Sequence, residues 1–270
     1  MPSPGNRPTG FGFIVAPYER TTTYHRGAAL GPEAVIDDWR KLVKAGEAPP
    51  PAAVITLPSA ALRGPAAMMA GVEGAAGKLT AEGLLPILLG GEHTSTLGAA
   101  AALSDGPGEM GVVQLDAHAD LRIAYQGEKH SHASVMHLLA EKGVRLAQFG
   151  VRALCQQEVE SRARNNVFYR DAGGLVTQNS LAVDLPEDFP ELVYVSFDVD
   201  GLDPSQMPAT GTPVPGGLGY YQALRLVEHA LKGRKCVGLD VVELAPDGNA
   251  AWDFTAAQIV YRLMAAAISD

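Results

Sequence analysis

Short apolar runs alternate with longer segments of helical periodicity along most of the chain. Several of these runs are continuously hydrophobic, which is typical of strands covered on both faces. This alternation predicts a three-layer α/β/α fold with a mostly parallel central sheet. The predicted strands are Phe11–Ala16, Ala53–Leu57, Leu85–Leu89, Gly111–Leu115, Leu146–Val151, Leu192–Phe197 and Cys236–Leu239, and the predicted helices are Pro32–Lys44, Ala66–Glu82, Thr94–Leu103, Ser134–Lys142, Gln156–Arg164, Tyr220–Leu231 and Phe254–Ile268.

The same alternation predicts one domain over residues 1–270. The proline- and alanine-rich stretch 45–53 is interpreted as a connector, because the strand–helix pattern resumes after it. Residues 1–10 are rich in proline and glycine, which predicts a flexible N-terminus. Residues 203–219 contain four prolines and four glycines, which predicts an irregular loop long enough to be functional.

Composition narrows the classes of partner. A net charge of −9 and a pI of about 5.2 argue against nucleic acid and anionic membranes as partners. No apolar run approaches the roughly 20 residues of a membrane span, and no signal peptide is visible, so we expect a cytoplasmic protein. Cys155 and Cys236 lie far apart and without metal-type spacing. We expect them to be reduced, with a single disulfide as the alternative.

Potential metal ligands gather in three short runs at predicted strand ends. Asp116, His118 and Asp120 follow one strand at intervals of two, so in extended backbone their side chains share a face. The carboxyl ends of parallel strands are also where open sheets place their ligand crevices. A set of acids and imidazoles without cysteine favours two hard divalent cations such as Mn²⁺ over structural Zn²⁺. The six ligands in these runs are His93, Asp116, His118, Asp120, Asp198 and Asp200.

These runs and several others resemble the signatures of the ureohydrolase family, which includes arginases, agmatinases and formimidoylglutamases. The resemblance covers nearly the whole chain, and it is the combination of motifs that is specific. The segments that carry it are His25-Arg26-Gly27, Gly31-Pro32-Glu33-Ala34, Gly90-Gly91-Glu92-His93, Asp116-Ala117-His118-Ala119-Asp120, Gly150-Val151-Arg152, Ser196-Phe197-Asp198-Val199-Asp200-Gly201-Leu202-Asp203-Pro204 and Gly238-Leu239-Asp240-Val241-Val242-Glu243.

The resemblance implies two Mn²⁺ per subunit. His93, Asp116, Asp120 and Asp198 would hold one ion, and Asp116, His118, Asp198 and Asp200 the other, with Asp116 and Asp198 bridging. A hydroxide between the metals would attack the guanidinium carbon, with Asp120 bonded to it. Glu243 would receive the guanidinium and His132 would shuttle the proton to the leaving amine, with His130 and His137 as competing candidates for that role.

Within the family, the chain is most similar to bacterial and archaeal agmatinases. The loop before the catalytic histidine, Tyr125–His130, lacks the Ser-Gly-Asn element with which arginases bind the α-amino and α-carboxylate groups of their substrate. Asp120-Leu121-Arg122, Ser131-His132-Ala133 and the stretch 209–217 are similar to agmatinases, although Ala209 and the segment 247–249 depart from the usual pattern.

The implied reaction is hydrolysis of agmatine to putrescine and urea, with a place in polyamine biosynthesis. Guanidinobutyrate, guanidinopropionate and aminopropylagmatine remain alternative substrates, because enzymes for them share every motif quoted above. Glu128, Asp203 and Asp247 are candidates for binding the distal ammonium of agmatine. Arginase and formimidoylglutamase activities are less favoured, and a metallophosphatase would need an Asn ligand that we do not find. A noncatalytic metal-binding homologue is the alternative of a different class, and the resemblance suggests a homotrimer or homohexamer acting on a small cationic guanidino substrate.

Overall fold

A computed structural model describes residues 7–104 and 106–269. Eight parallel strands of this part of the chain form one sheet with the order β2-β1-β3-β8-β7-β4-β5-β6. The strands are β1 Gly10–Ala16, β2 Ala53–Thr56, β3 Leu84–Gly90, β4 Met110–Leu115, β5 Arg145–Phe149, β6 Phe168–Arg170, β7 Leu192–Asp198 and β8 Lys235–Val242.

Helices cover both faces of this sheet, as the continuous apolar strands require. In β1, Phe13 and Val15 pack into the core on one face, while Ile14 and Ala16 pack into the core on the other. Residues of α1, α7 and α8 belong to the first core, and residues of α2, α3 and α4 to the second. The helices are α1 Gly31–Ala45, α2 Pro65–Ala81, α3 Thr96–Leu103, α4 Val135–Glu141, α5 Gln156–Arg164, α6 Ala172–Thr177, α7 Tyr220–Ala230 and α8 Ala250–Ile268. The three-layer α/β/α fold is confirmed, with an all-parallel sheet in one α/β domain.

The elements differ from the sequence prediction where polar residues interrupt or begin them. β8 continues past Leu239 to Val242, because Asp240 is fully buried and bonded inside the sheet. α8 begins at Ala250 rather than Phe254, with Asn249 accepting a hydrogen bond from the Ala251 N–H as its cap. β6 and α6 were not predicted, because both are short and most of their residues are exposed.

Other expectations concern the chain ends, the membrane and the cysteines. Residues 1–6 of the predicted flexible terminus lie outside the described residues, whereas the Thr9 N–H donates to Gly83 O and Gly10 begins β1. None of the described helices combines the length and the apolar character needed to cross a membrane. Cys155 and Cys236 both carry free thiols, which agrees with the expectation that they are reduced.

Candidate metal centre and active site

The candidate site lies at the carboxyl ends of four neighbouring strands, β3, β8, β7 and β4. Leu115 of β4 pairs with Phe197 of β7, and Asp198 pairs with Val242 of β8, so the strand ends lie side by side. The residues that follow therefore enter one crevice above the middle of the sheet, as in other open parallel sheets. All eight predicted site residues lie at this edge: His93, Asp116, His118, Asp120, His132, Asp198, Asp200 and Glu243.

Three carboxylates converge on the His93 imidazole. The Nδ1 atom of His93 lies 2.9 Å from Asp120 Oδ2, 3.3 Å from Asp116 Oδ2 and 3.4 Å from Asp198 Oδ2. This buried nitrogen nevertheless makes no hydrogen bond within the part of the chain that the structure describes. A buried ring nitrogen without a partner, facing several carboxylate oxygens, is the arrangement expected of side chains that share a cation.

A second group of ligands adjoins the first through Asp116. His118 Nδ1 lies 3.0 Å from Asp200 Oδ2 and 3.5 Å from Asp116 Oδ1. Donor atoms of His93, Asp116 and Asp198 all lie within 4.8 Å of one another, and so do those of Asp116, His118 and Asp200. Asp116 belongs to both groups and is placed to bridge two ions. Asp198 belongs only to the first group, and Asp120 adjoins that group through His93.

The buried acids Asp120 and Asp198 have raised pKa values, whereas the hydrogen bonds and charges of His118 and His93 outweigh burial and lower the pKa of Asp116. Burial, followed by the charge of Asp116, raises the pKa of Asp120 to about 7. Burial, together with the charges of Asp200 and Asp116, raises the pKa of Asp198 well above its ordinary value. Burial alone would lower the pKa of His118, but Asp200 and Asp116 raise it to about 12. Carboxylates that repel one another this strongly need a compensating positive charge, which a divalent cation supplies.

The second ring nitrogen of His93 is held by a buried polar network. His93 Nε2 lies 2.8 Å from Ser196 Oγ, and the Ser196 hydroxyl donates to Asp240 Oδ1 at 3.0 Å. The other oxygen of Asp240 accepts from the hydroxyls of Thr96 and Tyr194, both at 2.8 Å. Since Ser196 gives its proton to Asp240, it can only accept from Nε2–H, so in the neutral ring Nδ1 carries the lone pair that faces the acids.

Glu243 lies directly beside the metal ligands. Its Oε1 atom accepts a hydrogen bond from the His93 N–H at 2.7 Å, and its own N–H donates to Gly91 O. Glu243 and Asp120 both have positive φ, at 65° and 52°, a backbone conformation that acidic residues rarely adopt. Such conformations persist where the surrounding structure imposes them, and they are concentrated at functional sites.

His132 lines a cavity of about 430 Å³ next to the candidate ligands His118 and Asp120. Burial lowers the pKa of its imidazole below the ordinary value. The two competing histidines do not line this cavity: His130 is partly exposed beside Glu128, and His137 is buried beside Glu141. The geometry therefore favours His132 over both alternatives.

The same cavity contains two charged residues that were not predicted as site residues: Arg122, which was named only as part of the motif Asp120-Leu121-Arg122, and Glu158. The Arg122 guanidinium lies 5.0 Å from the centre of the Tyr125 ring, and its Nε is 3.8 Å from Glu158 Oε2. Glu158 is buried and accepts hydrogen bonds from the N–H groups of Leu121 and Cys155. Glu158 was not predicted as a site residue, because it lies in the first turn of α5, far along the chain from the metal motifs.

The three acids predicted to bind a distal ammonium are not among the residues lining this cavity. Asp203 accepts hydrogen bonds from the N–H groups of Ser205, Gly216 and Gly217, so it organises the 203–219 loop. Asp247 accepts from the Asn249 N–H, and Glu128 accepts from the His130 N–H. Glu158 also caps the start of α5, but it lines the cavity whereas these three acids do not, so Glu158 replaces them as the candidate.

Comparisons with known proteins show the family to which the chain belongs. The sequence model of the arginase family matches residues 9–266. The N(1)-aminopropylagmatine ureohydrolase of Synechocystis sp. is 33% identical over 268 residues, covering 93% of this chain and 87% of that protein. The agmatinase of Pyrococcus horikoshii is 38% identical over 179 residues, covering 66% of this chain and 61% of that protein.

Solved structures show the same fold. The agmatine ureohydrolase of Thermoplasma volcanium has a TM-score of 0.78 and 25% identity, covering 96% of this chain and 90% of that one. The arginase of Medicago truncatula has a TM-score of 0.81 and 24% identity, covering 98% and 89%. The chain belongs to the arginase family. Its activity class is that of the ureohydrolases, and the resemblance predicted from the motifs is confirmed.

Proposed function

We propose that this protein is a Mn²⁺-dependent enzyme that hydrolyses agmatine to putrescine and urea. The observation that carries the proposal is the convergence of two imidazoles and four carboxylates beside Glu243 and His132, at the ends of four central strands. Retention of Glu243 and His132 favours catalysis over a metal-binding role alone, since neither belongs to the ligand groups.

Two Mn²⁺ per subunit are the metals that we propose for the site. The donors are oxygen and imidazole nitrogen without thiolate, a set suited to Mn²⁺. As the family resemblance implies, His93, Asp116, Asp120 and Asp198 would hold one ion, and Asp116, His118, Asp198 and Asp200 the other. In the structure, Asp116 is the residue whose donor atoms belong to both groups. When bound, such a pair of cations supplies a nucleophile from water at neutral pH and polarises the substrate.

The protein's own groups position the substrate and move the proton. The Glu243 carboxylate binds the planar guanidinium of the substrate. Its Oε1 atom is held in place by the hydrogen bond from the His93 N–H. Asp120 accepts a hydrogen bond from the attacking water. As the bond between the guanidinium carbon and the alkyl nitrogen breaks, the imidazolium of His132 gives its proton to that nitrogen. Urea and the protonated amine are the products.

The tail of the substrate would meet Glu158. Its carboxylate lines the cavity that contains His118 and Asp120, and it suits an ammonium at the far end of a linear guanidino compound. Aminopropylagmatine is the second candidate substrate, because a relative that is 33% identical over most of this chain is named for it. Arg122, in the same cavity, is the group that a carboxylate tail such as that of guanidinobutyrate would use instead.

A substrate panel tests this proposal. The Mn²⁺-loaded protein is assayed for urea release from agmatine, aminopropylagmatine, guanidinobutyrate, guanidinopropionate and arginine, and for formamide from formimidoylglutamate. We expect agmatine to have the highest kcat/KM. Urea from none of them would contradict the ureohydrolase reaction, and a preference for guanidinobutyrate would contradict the cationic tail.

Two variants locate the tail within the cavity. Glu158→Gln is expected to raise the KM for agmatine by about tenfold, because the loss of one charge-assisted contact corresponds to about 1.4 kcal/mol. Arg122→Gln is the matched control: the change in charge is opposite and lies in the same cavity, so the KM for agmatine should stay level or fall. If agmatine binding depends on Arg122 and not on Glu158, the proposed orientation is wrong.

Assembly and location are part of the proposal. We propose a homotrimer or homohexamer that acts in the cytoplasm on small molecules, without nucleic acid or membrane as a partner. Light scattering coupled to size-exclusion chromatography measures the assembly, and a monomer would contradict it.

A further inference from the structure

Glu92 is a buried acid that the proposed reaction does not use. Its side chain is fully inaccessible, and it precedes the ligand His93 in the chain. The carboxylate accepts hydrogen bonds from the Arg20 N–H at 2.7 Å and from the Thr21 N–H at 2.6 Å. It also accepts from the hydroxyls of Thr21, at 2.6 Å, and of Thr94. Four donors directed at one carboxylate satisfy it as an acceptor only.

Thr21 connects this carboxylate to His132. The Thr21 hydroxyl has one proton, and the 2.6 Å contact with Glu92 Oε1 is the length of a charge-assisted O–H···O⁻ bond. Its two lone pairs face the His132 N–H and the His132 Nδ1 atom, each at 3.1 Å. Because the hydroxyl proton is already donated to Glu92, Thr21 Oγ1 can only accept from Nδ1.

We propose that Thr21, held by Glu92, is a positioning residue that fixes His132 in the tautomer with its proton on Nδ1. The inference rests on the proposed function of His132. Nε2 of this ring makes no hydrogen bond among the described residues, and the ring packs edge-on against Tyr125 beside the cavity.

The consequence for the reaction is a single defined direction of proton transfer. When His132 is protonated, Nδ1–H stays bonded to Thr21 and Nε2–H is the proton that passes to the leaving nitrogen as the carbon–nitrogen bond breaks. After the transfer, Nε2 keeps the lone pair that takes up the next proton. Without Thr21 the ring can turn over or adopt the other tautomer, and both changes direct the wrong nitrogen at the substrate.

Substitution of Thr21 tests this role in the Mn²⁺-loaded full-length protein with agmatine. Thr21→Val keeps the shape and removes the hydroxyl, and we expect kcat to fall by about 10- to 100-fold with little change in KM. Thr21→Ser keeps the hydroxyl and is expected to retain kcat to within about threefold of the wild type. If the valine variant melts well below the wild type, Thr21→Ala provides the same comparison with a smaller side chain.

A double-mutant cycle separates positioning from a general structural effect. In a His132→Asn background, Thr21→Val should cause no further loss of kcat, because its effect passes through the imidazole. Equal losses in both backgrounds would overturn the proposal, and so would wild-type kcat in Thr21→Val.

Thr22→Val is the matched control. It removes a hydroxyl from the next residue of the same loop, where the hydroxyl donates to Glu19 at 3.0 Å and does not contact His132. We expect near wild-type kcat, and a loss as large as that of Thr21→Val would also overturn the inference. If wild-type protein releases no urea from any substrate, it is the proposed function that fails. If the wild type is active and Thr21→Val has the same kcat, only the tautomer assignment is refuted.

Discussion

At the residue scale, four of the six candidate ligands, His93, Asp116, Asp198 and Asp200, are held by a second side-chain contact that helps to determine which atom faces the crevice. Asp116 accepts the His118 N–H on Oδ1 and the Gln114 amide on Oδ2, and Asp198 accepts the Asp200 N–H. Contacts of this kind orient ligands and are worth about 10- to 100-fold in metal affinity or activity. The crevice is thus organised before any cation enters it.

Asp240 gives the sharpest test of this organisation. Asp240→Asn leaves the side chain nearly the same size, but an amide cannot accept from all of Ser196, Tyr194 and Thr96. We expect the affinity for Mn²⁺ to fall by about 10- to 100-fold as His93 loses its fixed tautomer. Competition with a chelating dye measures the affinity. Ser196→Ala, which removes only the link to His93, should shift it in the same direction. Unchanged affinity in both variants would show that the network does not act on the metal.

At the element scale, the side chain of Arg152 makes several of the hydrogen bonds that hold the 203–219 loop against the site. Arg152 donates hydrogen bonds to the carbonyl oxygens of Gly150, Asp200, Gly201, Leu202 and Val214. The guanidinium therefore joins the end of β5, the turn that carries ligand Asp200 and the loop itself. A planar group with five N–H donors suits this task, and an ammonium with three does not.

Arg152→Lys is expected to loosen that loop without removing charge. Loss of several hydrogen bonds to a half-buried cation should lower the free energy of unfolding by about 1–3 kcal/mol. Urea denaturation of the metal-loaded protein measures the change. Arg225→Lys is the control, because Arg225 forms an exposed pair with Glu228 on α7, where such pairs contribute about 0–1 kcal/mol. Equal stabilities for the two variants would contradict the role given to Arg152.

At the scale of the whole molecule, the crevice concentrates negative charge in a chain whose net charge is already −9. The acids repel one another in the middle of the fold, where two cores and eight strands hold them in place. The folded chain thus stores an electrostatic penalty that bound cations relieve.

This penalty makes the stability of the metal-free protein depend on pH. The folded-state pKa of Asp120 is raised from 3.8 to about 7, so the folded state binds more protons than the unfolded state in that interval. Stability contributed by the protonated acid is therefore lost as pH rises from about 4 to about 7, by up to about 1.4 kcal/mol per pH unit for one proton. Cations hold the acids ionised and remove this slope.

The expected result is that chelation lowers the melting temperature more at pH 8 than at pH 5. Melting curves with Mn²⁺ and with EDTA, across that range, measure the difference. If the difference in melting temperature between the Mn²⁺ and EDTA samples stays constant or shrinks toward pH 8, this explanation is wrong. Ionisation of Asp120 at higher pH should both destabilise the metal-free protein and strengthen metal binding.

Local patterns in the chain were sufficient to predict the layers of the fold and the residue types of the candidate site. Continuous apolar strands such as 85–89 need cover on both faces, and acids at intervals of two after a strand need a cation, whatever the details of packing. These signals are local in the chain, which is why seven strands and six candidate ligands that the structure brings to one edge of the sheet could be named from it. Short or exposed elements such as β6 have no such local signal.

The residues that hydrogen-bond to the site residues or line the cavity beside them became known from the fold, because they are far away in the chain. Thr21 meets His132 across 111 positions of sequence, and Thr96 meets Asp240 across 144. Glu158 enters the cavity in place of Glu128, Asp203 and Asp247 because α5 brings it there. The order of the central strands creates these contacts. Since hydrogen bonds depend on distances in space, no spacing along the chain could have revealed them.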